Sequence, residues 1–331
     1  MVNMANMVNF FKWQILARLP KGSIFERVRA SILSSNINDI NPLYYVYWLD
    51  IEKSLFEKYL LGTFGTTNAD YTNFITWLDS NYRHGDFYEI KIDDTKIILP
   101  RPSFEDYKCF KAEFLDIIMP SLTKETATSL PYLEGPYEYK SVSLNKGDTV
   151  LDCGANYGLF SSLASAKGCK VFAFEPTTEV VTRYLSHLSA VDKNIEVIKK
   201  AVSNVTGNSS FKINPNHSSC NSLEIEPHVD DPYYTTVETT SVDDFVSQHN
   251  LSNVDFIKAD IEGAERLMLE GARQTLKEYA PKLAICFYHC LDDLKVLTKL
   301  IKEANPDYKI DVAYKKLYAY VPRKSKSNNE K

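Results

Sequence analysis

The chain has 331 residues, 44% of them apolar and 24% charged, which is enough for one large domain or two smaller ones and argues against global disorder. Its net charge of −5 argues against an enzyme that holds nucleic acid by neutralising phosphates. No run approaches the roughly 20 apolar residues that span a bilayer. Met1 to Pro20 has neither a basic start nor a small-residue cleavage site, and the six cysteines show no C-x-x-C pair or disulfide spacing. Reduced thiols in a cytoplasmic protein are therefore expected. Cys286, His289 and Cys290 lack a second ligand pair nearby, so no zinc site is assigned to them.

Residues 1 to about 85 read as helical and carry no nucleotide motif. Phe10, Phe11, Ile15, Leu16 and Leu19 share one helix face, expected to pack on the main domain. Tyr44, Tyr45, Tyr47 and Trp48 form an aromatic cluster suited to a core or a docking surface. Phe87 to Leu99 reads as a β-hairpin turning at Asp93-Asp94, and Phe104 to Met119 as an amphipathic helix. Gly135-Pro136 marks a loop just before the first buried strand, expected to fold over the open end of the sheet as a lid. The chain thus divides into a mainly helical region with a hairpin (1–130), an α/β domain (131–322) and a charged tail expected to be disordered (323–331).

The α/β domain is organised around Thr149 to Pro176, TVLDCGANYGLFSSLASAKGCKVFAFEP. Thr149-Val150-Leu151 suits a buried parallel strand, Leu159 to Lys167 a helix, and Val171 to Phe174 a second strand ending on Glu175-Pro176. Gly154 lets the backbone turn and approach a ligand closely. Glu175, at the tip of the second strand, suits an acid that holds the two hydroxyls of a ribose. These features fit NAD and S-adenosylmethionine alike. Two others separate them: G-x-G-x-x-G is absent, because Asn156 and Leu159 stand at its second and third glycine positions, and Asp152 opens the turn. An anion there repels a diphosphate and favours an ammonium. An NAD(P)-dependent oxidoreductase is the alternative these residues count against.

Farther along, Glu179 to Val191 reads as a helix and Ile195 to Val202 as a third strand with Ala201 to Ser203 at its tip. Phe211 to Ile213 and Thr235 to Thr240 read as extra strands. The polar segment between them, Asn214 to Pro232, holds His217, Asn221, Ser222 and His228, and a loop of that length often carries function. Ser241 is the expected N-cap of the next helix. Val254 to Lys258 is a buried strand that delivers Asp260 and Glu262 to the same edge as Asp152 and Glu175. Glu265 to Glu278 reads as helix and Leu283 to Tyr288 as strand, ending at His289. Asp292 to Ala304 reads as a helix whose first acids act as caps. Tyr308 to Tyr314 and Leu317 to Val321 read as a closing antiparallel pair.

The ordered set EGPY (Glu134–Tyr137), LDCGANYG (Leu151–Gly158), FEP (Phe174–Pro176), AVS (Ala201–Ser203), SVDDF (Ser241–Phe245), VDFIKADIEGAE (Val254–Glu265) and YH (Tyr288-His289) resembles the FkbM family of S-adenosylmethionine-dependent methyltransferases. The resemblance covers about Leu133 to Val321 and implies a class I methyltransferase fold, a Rossmann-like α/β domain. Its seven strands would run in the order 3-2-1-4-5-7-6 with strand 7 antiparallel, preceded here by the mainly helical N-terminal extension. It also implies S-adenosylmethionine as cofactor and methyl transfer to oxygen, with a carbohydrate or nucleotide-linked sugar as acceptor. Asp152, Gly154, Ala155, Asn156 and Gly158 carry over as the methionine-side loop, Glu175 and Pro176 as the ribose end, and Ala201 and Ser203 as the adenine edge. Asp260 stands as either a cofactor or an acceptor ligand.

A sugar hydroxyl is a poor nucleophile, so a base within reach is expected. His289 is the first candidate, because imidazole titrates near neutrality, followed by Asp260 and Glu262. Tyr137, Asn221, Ser222 and Tyr288 are candidate acceptor contacts. Mg2+ held by Asp260, Glu262, Asp292 and Asp293 is a variant not favoured over caps, so no metal is assigned. A noncatalytic binding protein on the same sheet is not distinguished from an enzyme by sequence, and a homo-oligomer is left open.

Overall fold

The computed structural model describes residues 68–92, 95–103, 106–118, 121, 134–214, 221–224 and 233–322. The apolar face at Phe10, the aromatic cluster at Tyr44, His217, His228 and the tail 323–331 lie outside the described residues.

Helix α1 (Asn68–Tyr82) leads into an antiparallel sheet of β1 (Arg83–His84), β2 (Phe87–Ile92) and β3 (Thr95–Pro100). Ile92 pairs with Thr95, and the two aspartates expected at the turn lie outside the described residues. Helix α2 (Tyr107–Glu113) follows and widens into a π turn, Phe114–Ile118. The single helix expected over Phe104 to Met119 is thus α-helical and then π-helical over its described part. It buries Phe114, Ile117 and Ile118 while bringing the Asp116 side chain inward.

The main sheet has seven strands. They are β4 (Thr149–Cys153), β5 (Lys170–Phe174), β6 (Ile195–Ile198), β11 (Phe256–Ala259), β12 (Lys282–Cys286), β13 (Lys309–Ala313) and β14 (Lys316–Tyr320). Their spatial order is β13-β14-β12-β11-β4-β5-β6. Numbered along the chain, that order is 3-2-1-4-5-7-6 from the β6 edge. Strand β14 runs antiparallel to both neighbours and the rest are parallel. The class I methyltransferase order expected from the sequence is therefore the one observed.

A second sheet, β7-β10-β8-β9, is built from β7 (Ala201–Val202), β8 (Gly207–Lys212), β9 (Ser222–Glu224) and β10 (Tyr234–Thr240). Ile195 to Val202 is thus two strands in two sheets. Lys200 N–H turns back to Ile198 O at 2.8 Å, and Ala201 then pairs with Thr239. Helix α3 (Leu159–Ala166) and the broken helix α4 (Thr178–Val180, a wide turn Val181–Leu185, then Ser186–Val191) connect β4, β5 and β6. Helix α5 (Val242–Gln248) begins at Ser241, whose Oγ accepts Asp244 N–H as a cap at 3.0 Å. Helices α6 (Glu265–Glu270) and α7 (Arg273–Glu278) divide the expected single helix at Gly271. A Cβ there would lie 2.4 Å from Ser203 O, so the break lets the two segments meet closely. Helix α8 (Asp293–Ala304) completes the domain.

Both sheet faces are covered. Val150, Val171, Ala173 and Phe256 face a core with α3 and the β2–β3 hairpin. Their chain neighbours Leu151, Phe172, Phe174 and Ile257 face the opposite core, with Phe245, Leu276 and Leu297. This two-residue alternation with both faces apolar is why the strands read as continuous apolar runs.

Candidate active site

The C-terminal ends of β4, β5 and β11 open onto a cavity of about 340 Å³, within the range of small-molecule sites. It lies where the strand order reverses, between β4 and β11, the usual place for a ligand in an open α/β sheet.

Gly154 makes the cavity floor. Its φ is +78°, and its N–H and that of Ala155 donate to Phe174 O at 3.1 and 2.9 Å. A Cβ on Gly154 would sit 2.0 Å from Asp260 O. Gly154→Ala is therefore expected to lower Tm sharply, since it adds a backbone clash to the left-handed penalty of about 1–2 kcal/mol; a thermal melt checks this. Asn156 stands where glycine is usual in such loops. Its φ of +45° is the conformation that asparagine, nearly alone among side-chain-bearing residues, adopts readily.

Glu175 lines the cavity from the tip of β5. Its carboxylate accepts Asn156 N–H at 3.2 Å and Thr177 N–H at 2.9 Å, so it also braces the loop. Burial raises its pKa against those bonds. Pro176, Ala201, Asn221 and Tyr288 line the cavity as well. Ser203, Ser222 and Gly158 do not. Ser203 N–H bonds Thr240 O, Ser222 lies in β9 beside the lining Leu223, and Gly158 starts α3.

Asp152 is not where the sequence puts it. It is fully buried beneath the loop, its Oδ2 receives Ser161 Oγ–H at 2.6 Å, and its Oδ1 stands 3.0 Å from Lys258 Nζ. The register pairs Asp152 with Lys258 across β4 and β11, so the charge expected to greet an ammonium is neutralised from the neighbouring strand. Burial opposes the charge on Lys258, but Asp152, Asp260 and Glu113 outweigh it and hold the amine above the ordinary lysine range. Its Nζ also donates to Gly154 O, tying the loop down.

Besides Glu175, the acids that reach the cavity are Glu113, Asp116, Glu134, Asp260 and Glu262, set against Lys200, Lys258 and Lys316. Glu113 keeps some exposed area because it faces the cavity, yet it lies deep. Burial pushes its carboxyl up to about 8, against Lys258 and an Asn156 Nδ2–H bond of 2.6 Å. A carboxyl raised from 4.5 to about 8 keeps a proton in the folded state that the unfolded chain has lost. Stability therefore falls as pH rises through that window, by up to about 1.4 kcal/mol per pH unit, and levels above it. Glu113→Gln is expected to flatten this fall, so that its Tm gains on wild type with rising pH in thermal melts.

Asp260 takes Tyr137 O–H at 2.8 Å on Oδ2 and Tyr288 O–H at 3.1 Å on Oδ1. Burial alone would raise its carboxyl, but Lys258, His289, Lys316 and the Tyr137 bond carry it down to about 2. Tyr288 O–H also reaches Glu134 Oε2 at 3.0 Å. Glu134 and Tyr137 line the cavity from the loop expected to act as a lid, and that loop is pinned. Lys316 Nζ donates to Glu134 O and Gly135 O at 3.0 and 2.7 Å, and Tyr318 O–H to Pro136 O.

His289 is also differently placed. It does not line the cavity, and its side chain is 9% exposed. Nδ1 faces Glu265 Oε1 at 3.1 Å, and Nε2 faces Glu262 Oε2 at 3.5 Å and Asp260 Oδ1 at 3.8 Å. Burial disfavours its charge, but Glu265 and Glu262 prevail and hold the imidazole well above its ordinary pKa. Enclosed among three carboxylates and off the cavity lining, the ring is not placed to take a proton from an acceptor in the cavity. Glu262 lines the cavity with a backbone φ of +54°, and burial raises its pKa. Asp292 and Asp293 do not converge with Asp260, because Arg266 takes both: its Nε donates to Asp293 Oδ1 at 2.9 Å and its Nη2 to Asp292 Oδ1. Asp293 Oδ2 accepts Cys290 N–H at 2.7 Å, while the Asp292 side chain makes no cap bond.

Residues 152–308 match the family described as the methyltransferase FkbM domain. The hexuronic acid methyltransferase AglP of Haloferax volcanii is 27% identical over 157 residues, 47% of this chain and 62% of that protein. The methyltransferase FkbM of Methylobacillus flagellatus KT is 24% identical, with a TM-score of 0.43 over 66% of this chain and 56% of the other. A methyltransferase of Aquifex aeolicus described as SAM dependent is 18% identical, with a TM-score of 0.33 over 55% of this chain and 86% of the other. The chain therefore spans less than two thirds of the length of the first two of these relatives. The match to the methyltransferase FkbM domain spans residues 152–308, a little under half of this chain.

Proposed function

We propose that this chain is an S-adenosylmethionine-dependent O-methyltransferase whose acceptor is a sugar hydroxyl, on a glycan or a nucleotide-linked sugar. The observation that carries the reading is the cavity itself. Glu175 faces it from the second strand, and an excess of carboxylates faces it from α2, the Glu134 loop and the end of β11. That donor set fits a ribose with two hydroxyls joined to a cationic amino-acid chain. The carboxylates would repel a pyrophosphate.

S-adenosylmethionine, when bound, supplies a methyl group on an electron-poor sulfonium. In this chain Glu175 would accept the ribose hydroxyls, with each oxygen keeping a lone pair beside the backbone N–H it already holds. Ala201 and Pro176 offer apolar contact to the base. Asp260 and Glu113, with the Gly154 backbone, surround the amino-acid end, in place of the buried Asp152. Much of the catalysis would come from holding the acceptor oxygen against the methyl carbon at about 3–3.5 Å. Glu134 and Glu262, which line the cavity beside Asp260, are the residues placed to accept the hydroxyl proton. The phenols of Tyr137 and Tyr288 stay protonated, because burial and Asp260 raise both, so they act as donors that orient Asp260.

The sugar part rests on the name of the AglP relative and on the family resemblance. The test is transfer of isotopically labelled methyl from S-adenosylmethionine to a panel of hexuronic acids, neutral sugars and sugar nucleotides. A labelled O-methyl sugar is the expected product. Label only on protein or nucleic acid, or on none, removes the reading.

A further inference from the structure

We propose that Asp260, Glu262 and His289 bind a divalent first-row transition-metal ion at the edge of the cavity. The starting point is His289. Its side chain is buried to more than nine-tenths, and neither ring nitrogen makes a hydrogen bond of acceptable geometry, although carboxylates surround the ring. Nε2 is aimed into the gap between Glu262 Oε2, at 3.5 Å, and Asp260 Oδ1, at 3.8 Å. One ligand atom from each of Asp260, Glu262 and His289 lies within 4.8 Å of the other two.

Those separations fit a shared ion better than mutual contacts. Ligand atoms about 2.1 Å from a first-row metal stand roughly 3.0–3.4 Å apart at octahedral or tetrahedral corners. The two separations from His289 Nε2, 3.5 and 3.8 Å, close to that with shifts of a few tenths of an ångström. One imidazole nitrogen and two carboxylate oxygens are a donor set for Mn2+, Fe2+ or Zn2+ rather than for Mg2+, which prefers oxygen throughout.

The surroundings have the form of a supporting shell. Glu265 Oε1 lies 3.1 Å from His289 Nδ1, and the Glu265 carboxylate also accepts Ile261 N–H at 2.9 Å and Gly263 N–H at 3.0 Å. A carboxylate on the far nitrogen of a ligating histidine fixes the ring and directs the other nitrogen to the metal. Glu265 is itself 1% exposed, so it is fixed in turn. On the other side, Tyr137 and Tyr288 hold Asp260. Asp260 and Glu262 both line the cavity, so the remaining coordination positions open toward a bound acceptor. Hydroxyl or carboxylate oxygens are the ligands such positions take. With Glu262 at the ion, Glu134 is left as the carboxylate to receive the acceptor's proton.

The test uses MnCl2 with the full chain after chelator treatment, without methyl donor or acceptor. Its outcome therefore does not depend on the proposed methyl transfer. Wild type is expected to bind one Mn2+ saturably in calorimetry, with a nitrogen coupling in pulsed EPR. His289→Gln is expected to abolish that coupling and weaken binding more than tenfold. Glu262→Gln, at a side chain 29% exposed and so tolerant of change, is expected to weaken binding more than tenfold with its circular dichroism unchanged. Glu265→Gln is expected to weaken binding less, while shifting the nitrogen coupling. No saturable site in wild type, binding indifferent to Glu262→Gln, or a site without nitrogen coupling would each overturn the proposal.

Discussion

Replacing Lys258 by methionine is expected to destabilise the fold by about 3–5 kcal/mol, because it strands the Asp152 carboxylate without a counter-ion. Asp152 is 0% exposed and Lys258 4% exposed, so water screens neither side of the 3.0 Å pair. Loss of the amine also frees Gly154 O and Cys153 O, which it approaches at the base of the loop. The double variant Asp152→Asn, Lys258→Met removes the charge along with its partner. It keeps an acceptor for Ser161, so it should recover part of the loss. Urea unfolding of both variants separates the two outcomes. A Lys258→Met protein within about 1 kcal/mol of wild type would show that the pair does not hold the loop, since buried pairs broken on one side cost well above that.

Glu175→Ala is expected to weaken binding of S-adenosylhomocysteine roughly 100-fold. A hydrogen bond to a charged group contributes about 1.5–3 kcal/mol, and the carboxylate is proposed to accept two from the ribose. It also releases Asn156 N–H and Thr177 N–H, so part of the loss comes through the loop. Glu175→Gln, which keeps one acceptor oxygen, should fall between wild type and alanine in calorimetry. Equal affinity in all three proteins would place the ribose elsewhere.

Half of the candidate site was legible in sequence because its residues are local. Gly154, Asn156 and Glu175 sit on one strand–turn–helix–strand unit, and chain spacing alone brings them to one edge. The seven-strand order came from the family resemblance, supported by alternating apolar faces. What sequence reasoning missed depends on register between distant segments. Asp152 looked like a free anion because its counter-ion lies 106 positions on, directly across from it in β11. A signal was present, since a lysine inside the buried run Val254 to Lys258 needs a partner. Glu113 carried no motif at all, and only α2 packing over the sheet brings it in.

His289 was misread for a related reason. Its surroundings depend on how residues 261–265 fold, with Glu262 in a left-handed conformation and Glu265 reaching back along the loop. From sequence the three acids and one histidine sit near one another without a geometry. In the structure the ring is enclosed among carboxylates and lies off the cavity lining. The break at Gly271 and the handover of the chain from β6 to β7 are likewise contacts between separate elements, with no local marker beyond a glycine and a pair of lysines.

The most direct test is a crystal structure with S-adenosylhomocysteine. Its ribose hydroxyls are expected on Glu175, its adenine beside Ala201, and its amino group among Asp260, Glu113 and the Gly154 backbone, with the sulfur open toward Glu134 and Glu262. Density for the ligand outside this cavity, or a bound dinucleotide in its place, would contradict the account.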